Sequence, residues 1–131
     1  MELQLKISGI VMIALALVHV IFPKYFDWEN DLKPLSLINR QMMHVHTFFI
    51  AFLLLLIGIL CLSSAKDIVE TNLGKRIALG IGIFWFVRLI FQFFGYSSEL
   101  WKGKLFETVV HILFAGTWIY FTVVFFLVFW S

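Results

Sequence analysis

The side chains of this chain that could do chemistry lie near the ends of apolar segments. They are His19 near the end of the first segment, His44 and His46 at the start of the second, Arg88 and Gln92 close to the end of the third, and Glu107 and His111 at the start of the fourth. Ionisable groups are costly inside hydrocarbon, so several of them at one depth predict a functional site. Histidine, arginine and glutamate together suit a redox cofactor, a metal or an anion.

The elements that must position these side chains are four predicted membrane helices. Of the 131 residues, 62% are apolar and 14% are charged, which is too apolar for a water-soluble core. A helix needs about 20 apolar residues to cross a bilayer. Four segments qualify: residues 5–22, 42–62, 77–94 and 105–130. The sequence therefore predicts one all-α domain over residues 1–131, an integral membrane four-helix bundle that runs up-down-up-down.

This topology brings the candidate side chains to one side of the membrane, because one helix ends where the next begins. We expect His19, His44, Arg88 and His111 to open into one pocket. The connection over residues 23–38 mixes aromatic and charged residues, which is typical of a segment lying among lipid headgroups. It either covers the pocket or is an ordinary interfacial linker. The first segment lacks a small-x-small cleavage site, so we interpret it as a retained helix.

The second helix begins with a His-x-His pair whose members point in different directions. Residues three or four apart share a helix face, so Arg40, His44 and Thr47 form one stripe. His46 lies roughly 200° around the axis from His44. We therefore predict that His44 faces the site, with Arg40 as a polar companion and His46 as a secondary candidate.

The third helix carries the longest polar stripe, which consists of Trp85, Arg88, Gln92 and Tyr96. Arg88 lies about 12 Å of helix rise before Tyr96, which is too deep to reach water easily. Arginine stays charged, so it requires an acceptor. The acceptor is either a ligand or Glu107 in a structural ion pair. We predict that Arg88, Glu107 and His111 form one network.

On the fourth helix, Glu107 and His111 are four residues apart and share a face. The carboxylate could bind a metal beside the imidazole or orient it from behind. A simple hydrogen bond between the two side chains, with no ligand, is the alternative.

The first functional hypothesis is a redox ligand, with haem b ahead of a quinone. Haem iron would take His111 together with His19 or His44, and an arginine would pair with the propionates. A quinone would accept hydrogen bonds from histidine and arginine. Zinc or non-haem iron is less favoured, because Arg88 would repel a dication. The alternatives are a proton-linked carrier of a small anion and a non-enzymatic accessory subunit of a membrane complex.

The partners follow from composition and spacing. A net charge of +2 gives no support for nucleic-acid binding, and a single cysteine excludes an intramolecular disulfide. Gly74, Ala78 and Gly82 form a small-residue face that suits close helix packing or a homodimer. The chain has the general look of small bacterial four-helix membrane proteins. We expect it in a bacterial inner membrane with the N-terminus inside, and redox chemistry on one side would need a partner subunit.

Overall fold

The computed structural model describes residues 1–131 and contains helices but no strand. Its four long helices are α1 (Glu2–Tyr25), α3 (Leu37–Ser63), α5 (Asn72–Phe94) and α6 (Leu105–Trp130). Between them lie α2 (Trp28–Asp31), α4 (Ala65–Glu70) and a 3₁₀ turn over Ser98–Leu100. By length and composition, each long helix can cross a membrane. The predicted fold class, all-α with four apolar helices, is confirmed.

Three of the four helices extend beyond their apolar segments. Helix α1 continues through Pro23 to Tyr25, although a proline removes the hydrogen bond of its own nitrogen and crowds the carbonyl four residues before it. The next N–H groups still find carbonyl acceptors, as Phe26 N donates to Phe22 O at 2.9 Å. Helices α3 and α5 begin before their apolar segments, at Leu37 and Asn72. Polar residues at a membrane surface can extend a helix that lies in lipid.

The chain forms two compact units. The N-terminal unit, Leu5–Ala65, contains most of α1 together with α2 and α3. Its two long helices meet at Gly9 and Gly58. A Cβ added at Gly9 would lie 2.6 Å from the Gly58 carbonyl oxygen, and one added at Gly58 would lie 2.7 Å from the Gly9 oxygen. The two backbones therefore touch here, which only residues without a side chain allow.

The C-terminal unit, Lys66–Ser131 with Met1–Gln4, is held by α5 packed against α6. Thr71 caps α5 by accepting a hydrogen bond from Gly74 N at 2.9 Å. A Cβ on Gly74 would clash with the backbone of Ile68, and one on Gly82 would lie 2.9 Å from the Phe126 ring.

The small-residue face of α5 is therefore used inside the chain. Gly74 packs against α4 and Gly82 against α6, while Ala78 between them is fully buried. The four-residue spacing predicts that another helix packs closely against this face, and here α4 and α6 of the same unit do so. A homodimer through these residues stays a prediction.

Candidate functional site

A buried glutamine, Gln92, is the centre of the polar network between α5 and α6. Only 5% of its surface is exposed. Its Oε1 accepts hydrogen bonds from Arg88 Nη1 at 3.2 Å and from Trp118 Nε1 at 3.1 Å. Its Nε2 lies 2.8 Å from His111 Nδ1. Both the oxygen and the nitrogen of this amide therefore have partners, as burial away from water requires.

These bonds determine the tautomer of His111. Guanidinium and indole N–H groups are donors only, so Arg88 and Trp118 must face the oxygen of the amide rather than its nitrogen. The NH₂ group of Gln92 then faces His111 and donates to it. His111 Nδ1 is consequently an unprotonated acceptor, and in the neutral ring the proton is on Nε2.

Aromatic rings enclose this network. The Trp101 ring stacks on the His111 imidazole with centroids 3.8 Å apart and planes 13° from parallel. Trp118 stacks with Trp85, at 4.9 Å, and with Phe114, at 5.6 Å. Such rings supply a large apolar surface and hold the imidazole and the indole in fixed planes.

Arg88 is stabilised by aromatic faces and by an amide. Its guanidinium carbon lies 5.2 Å from the centre of the Trp118 ring and 5.5 Å from that of Tyr96, both within cation–π range. The ion pair expected with Glu107 is not formed, because Gln92 Oε1 takes the guanidinium N–H and Glu107 is exposed. Arg88 and His111 are thus linked through the uncharged side chain of Gln92. The guanidinium of Arg88 forms no salt bridge with a carboxylate.

The guanidinium also borders a cavity of about 560 Å³ along α5. The cavity is lined by Phe84, Val87, Arg88, Phe91, Gly95 and Tyr96. Apart from Arg88 and the Tyr96 hydroxyl, these side chains are apolar. An apolar cavity with one or two convergent donors is the usual form of a small-molecule site.

The remaining predicted residues belong to the N-terminal unit. His19 Nδ1 bonds the Leu15 carbonyl oxygen at 2.7 Å, which is the structural role that a histidine near a helix end often has. His44 lies edge-on to the Trp28 ring, with centroids 5.3 Å apart, and both His44 and His46 are exposed. Arg40 is partly buried beside His44.

Within either unit, no three His, Cys, Asp or Glu side chains lie together as a metal site would need. The proposal that His19 or His44 joins His111 on a haem iron, and that all four helix ends share a pocket, stays a prediction.

Sequence reasoning left two tryptophans out of the candidate site. Trp118 is seven residues after His111, so it lies on the same face of α6, and this spacing was the available signal. Trp101 follows the 3₁₀ turn, and its position over His111 depends on the path of the chain after Gly95. Thr108 holds that path by donating its hydroxyl to the Trp101 carbonyl oxygen.

No family model, no curated protein and no solved structure matches this chain. Any statement about function therefore depends on the residues of the site.

Proposed function

We propose that the C-terminal unit binds the headgroup of a membrane quinone, with the Arg88 guanidinium donating to a ring carbonyl. The observation that carries this proposal is an arginine without a carboxylate partner at an apolar, aromatic-lined cavity. A quinone ring is flat and apolar and has only acceptors, so it complements such a wall. Gln92 and Trp118 orient the guanidinium, and the Tyr96 hydroxyl offers a second donor.

Between the two redox ligands expected from the sequence, the geometry favours the quinone over haem b. An axial histidine needs a free lone pair on the nitrogen that faces the iron. In His111 the lone pair of Nδ1 accepts from Gln92, and Nε2 carries the proton. His111 is therefore arranged to donate a hydrogen bond from Nε2, which suits a carbonyl acceptor better than a metal.

Reduction of a quinone to a quinol consumes two electrons and two protons. The side chains of this site supply no electrons, so the proposal includes a redox partner subunit that delivers them. The setting is a bacterial inner membrane with the N-terminus inside. The Lys75–Arg76 pair near the start of α5 supports that orientation, because lysine and arginine are enriched close to the cytoplasmic ends of membrane spans.

The test is quinone binding by the full chain. Protein purified from its native membrane should release quinone on solvent extraction, and a short-chain quinone should quench tryptophan fluorescence saturably, because Trp118 touches Arg88. Arg88→Gln should weaken binding at least about tenfold, since a hydrogen bond to a charged donor is lost. Arg76→Gln, at an exposed arginine of the same helix, should bind normally.

A result against the quinone would be no extractable quinone and no saturable quenching. A Soret band that is lost in His111→Ala would instead support haem b.

A proton-linked carrier of a small anion is the second candidate. It is favoured by the same uncompensated positive charge, because a carboxylate or another oxyanion would pair with Arg88 directly. Proteoliposomes would then take up the anion in response to a pH gradient, and Arg88→Gln would abolish uptake. Failure of the quinone, haem and uptake assays together would leave the network a structural one, in an accessory subunit.

A further inference from the structure

A second cavity, in the N-terminal unit, contains two opposite charges that are not paired with each other. Its volume is about 290 Å³. It is lined by Trp28, Glu29, Leu32, Leu37, Arg40, Gln41 and His44. Arg40 Nε is buried and has no hydrogen-bond partner, an arrangement that costs free energy unless a ligand accepts from it.

Glu29 is the carboxylate that lines this cavity. The neighbouring Asp27 has a local partner, because Asn30 Nδ2 donates to both of its carboxylate oxygens at 3.1 Å. The Glu29 carboxylate accepts no hydrogen bond and makes no salt bridge with Arg40, although both line the cavity. The cavity wall therefore has a positive group and a negative group with room between them.

The position of this cavity along the helices corresponds to the lipid headgroups. The connection containing α2 joins the end of α1 to the start of α3, and Arg40 lies in the first turn of α3, about 4.5 Å of rise from Leu37. Large apolar side chains of the connection and its flanks are exposed: Tyr25, Phe26, Leu35 and Leu37. Apolar side chains among charged ones are typical of a segment that lies in the membrane interface.

From this charge pattern we propose that the cavity binds the headgroup of a zwitterionic aminophospholipid such as phosphatidylethanolamine. The phosphate is paired with the Arg40 guanidinium, which presents donors in the geometry that phosphate accepts. The primary ammonium donates to the Glu29 carboxylate, and Leu32 and Leu37 border the glycerol end. The charges of Arg40 and Glu29 sum to zero, which matches a headgroup without net charge and disfavours an anionic lipid.

This site uses none of the residues of the proposed quinone site, so the two proposals fail or hold separately. The test is lipid retention by the full-length protein in detergent, measured by native mass spectrometry. The added lipids are equal amounts of phosphatidylethanolamine, phosphatidylcholine and phosphatidylglycerol. Wild type should retain one phosphatidylethanolamine per chain in preference to the other two, and Arg88→Gln should keep that preference.

Two substitutions separate the roles of the charges. Arg40→Gln should lower phosphatidylethanolamine retention at least about tenfold, because the charged donor to the phosphate is lost. Glu29→Gln should keep lipid bound but abolish the preference over phosphatidylglycerol. Arg76→Gln and Glu70→Gln, at exposed residues outside the cavity, should leave retention unchanged. If circular dichroism shows that Arg40→Gln has lost helicity, the test depends on whether Glu29→Gln loses the preference for phosphatidylethanolamine over phosphatidylglycerol.

Three retention results would overturn the proposal. They are equal retention of the three lipids by wild type, preference of wild type for phosphatidylglycerol, and unchanged retention in a folded Arg40→Gln. Displacement of the lipid by millimolar inorganic phosphate would also overturn it, because the site would then bind a free anion rather than a headgroup.

Discussion

At the scale of single residues, Gln92 decides the chemical state of its neighbours. It is uncharged, yet it presents an acceptor to Arg88 and a donor to His111 at the same time. A carboxylate at this position would neutralise the arginine and could not donate to the imidazole. The neutral amide keeps the charge of Arg88 available to a ligand and keeps the Nε2 proton on His111.

The tautomer of His111 can be measured directly. In protein with ¹⁵N-labelled histidine, His111 of the wild type should have an unprotonated Nδ1 and a protonated Nε2. Gln92→Glu replaces the amide donor with an acceptor, so Nδ1 should become protonated in that variant. The ¹⁵N shifts of the ring distinguish the two states.

The exposed His46 serves as the internal control, and its shifts should not change. A protonated Nδ1 on His111 of the wild type would contradict the hydrogen-bond assignment.

At the scale of helices, glycines set how closely the elements approach. Gly9 and Gly58 bring α1 and α3 into backbone contact, whereas a Cβ added at Gly116 on α6 would have no neighbouring atom within 4 Å. Glycine is therefore required at Gly9 and Gly58 for close helix packing, but not at Gly116. Without a hydrophobic driving force between helices in lipid, such close packing is a main source of association.

Gly9→Ala should destabilise the protein by about 1–3 kcal/mol, because the added methyl group meets the carbonyl oxygen of Gly58 and forces the helices apart. Gly116→Ala is the matched control, and it should leave the free energy of unfolding unchanged or raise it by up to about 1 kcal/mol through helix propensity. Unfolding in mixed micelles, followed by circular dichroism, gives both values. Equal losses in the two variants would refute the contact.

At the scale of the whole molecule, the distribution of apolar surface places the chain in a bilayer. Large apolar side chains are exposed along all four long helices, among them Leu17, Phe52, Phe84 and Ile112. Helices of this length and composition can cross the hydrocarbon layer, because a helix bonds its backbone groups internally.

With the N-terminus inside, a green fluorescent protein fused after Ser131 should fluoresce, and alkaline phosphatase fused there should be inactive. Fusions after Ser97, beyond the third crossing, should give the opposite pattern because an odd number of spans precedes them. An active phosphatase after Ser131 would reverse the proposed orientation.

The helical class and the membrane character could be predicted from sequence because they depend on local composition. In lipid, a run of about 20 apolar residues can form all its backbone hydrogen bonds within the same segment only as a helix. The stripe of Trp85, Arg88, Gln92 and Tyr96 was predictable for the same reason, since the helix period alone puts these residues on one face.

Only the tertiary structure decided which groups meet. Helix spacing predicts Gln92 as a neighbour of Arg88 on α5, whereas charge favours Glu107 on α6. The packing of α5 against α6 instead directs Gln92 into the interface and leaves Glu107 exposed. The stacking of Trp101 on His111 likewise depends on the turn before α6, which the Thr108 hydroxyl holds by donating to the Trp101 carbonyl oxygen. Side-chain partners between helices depend on their rotation and distance, and no local pattern encodes these.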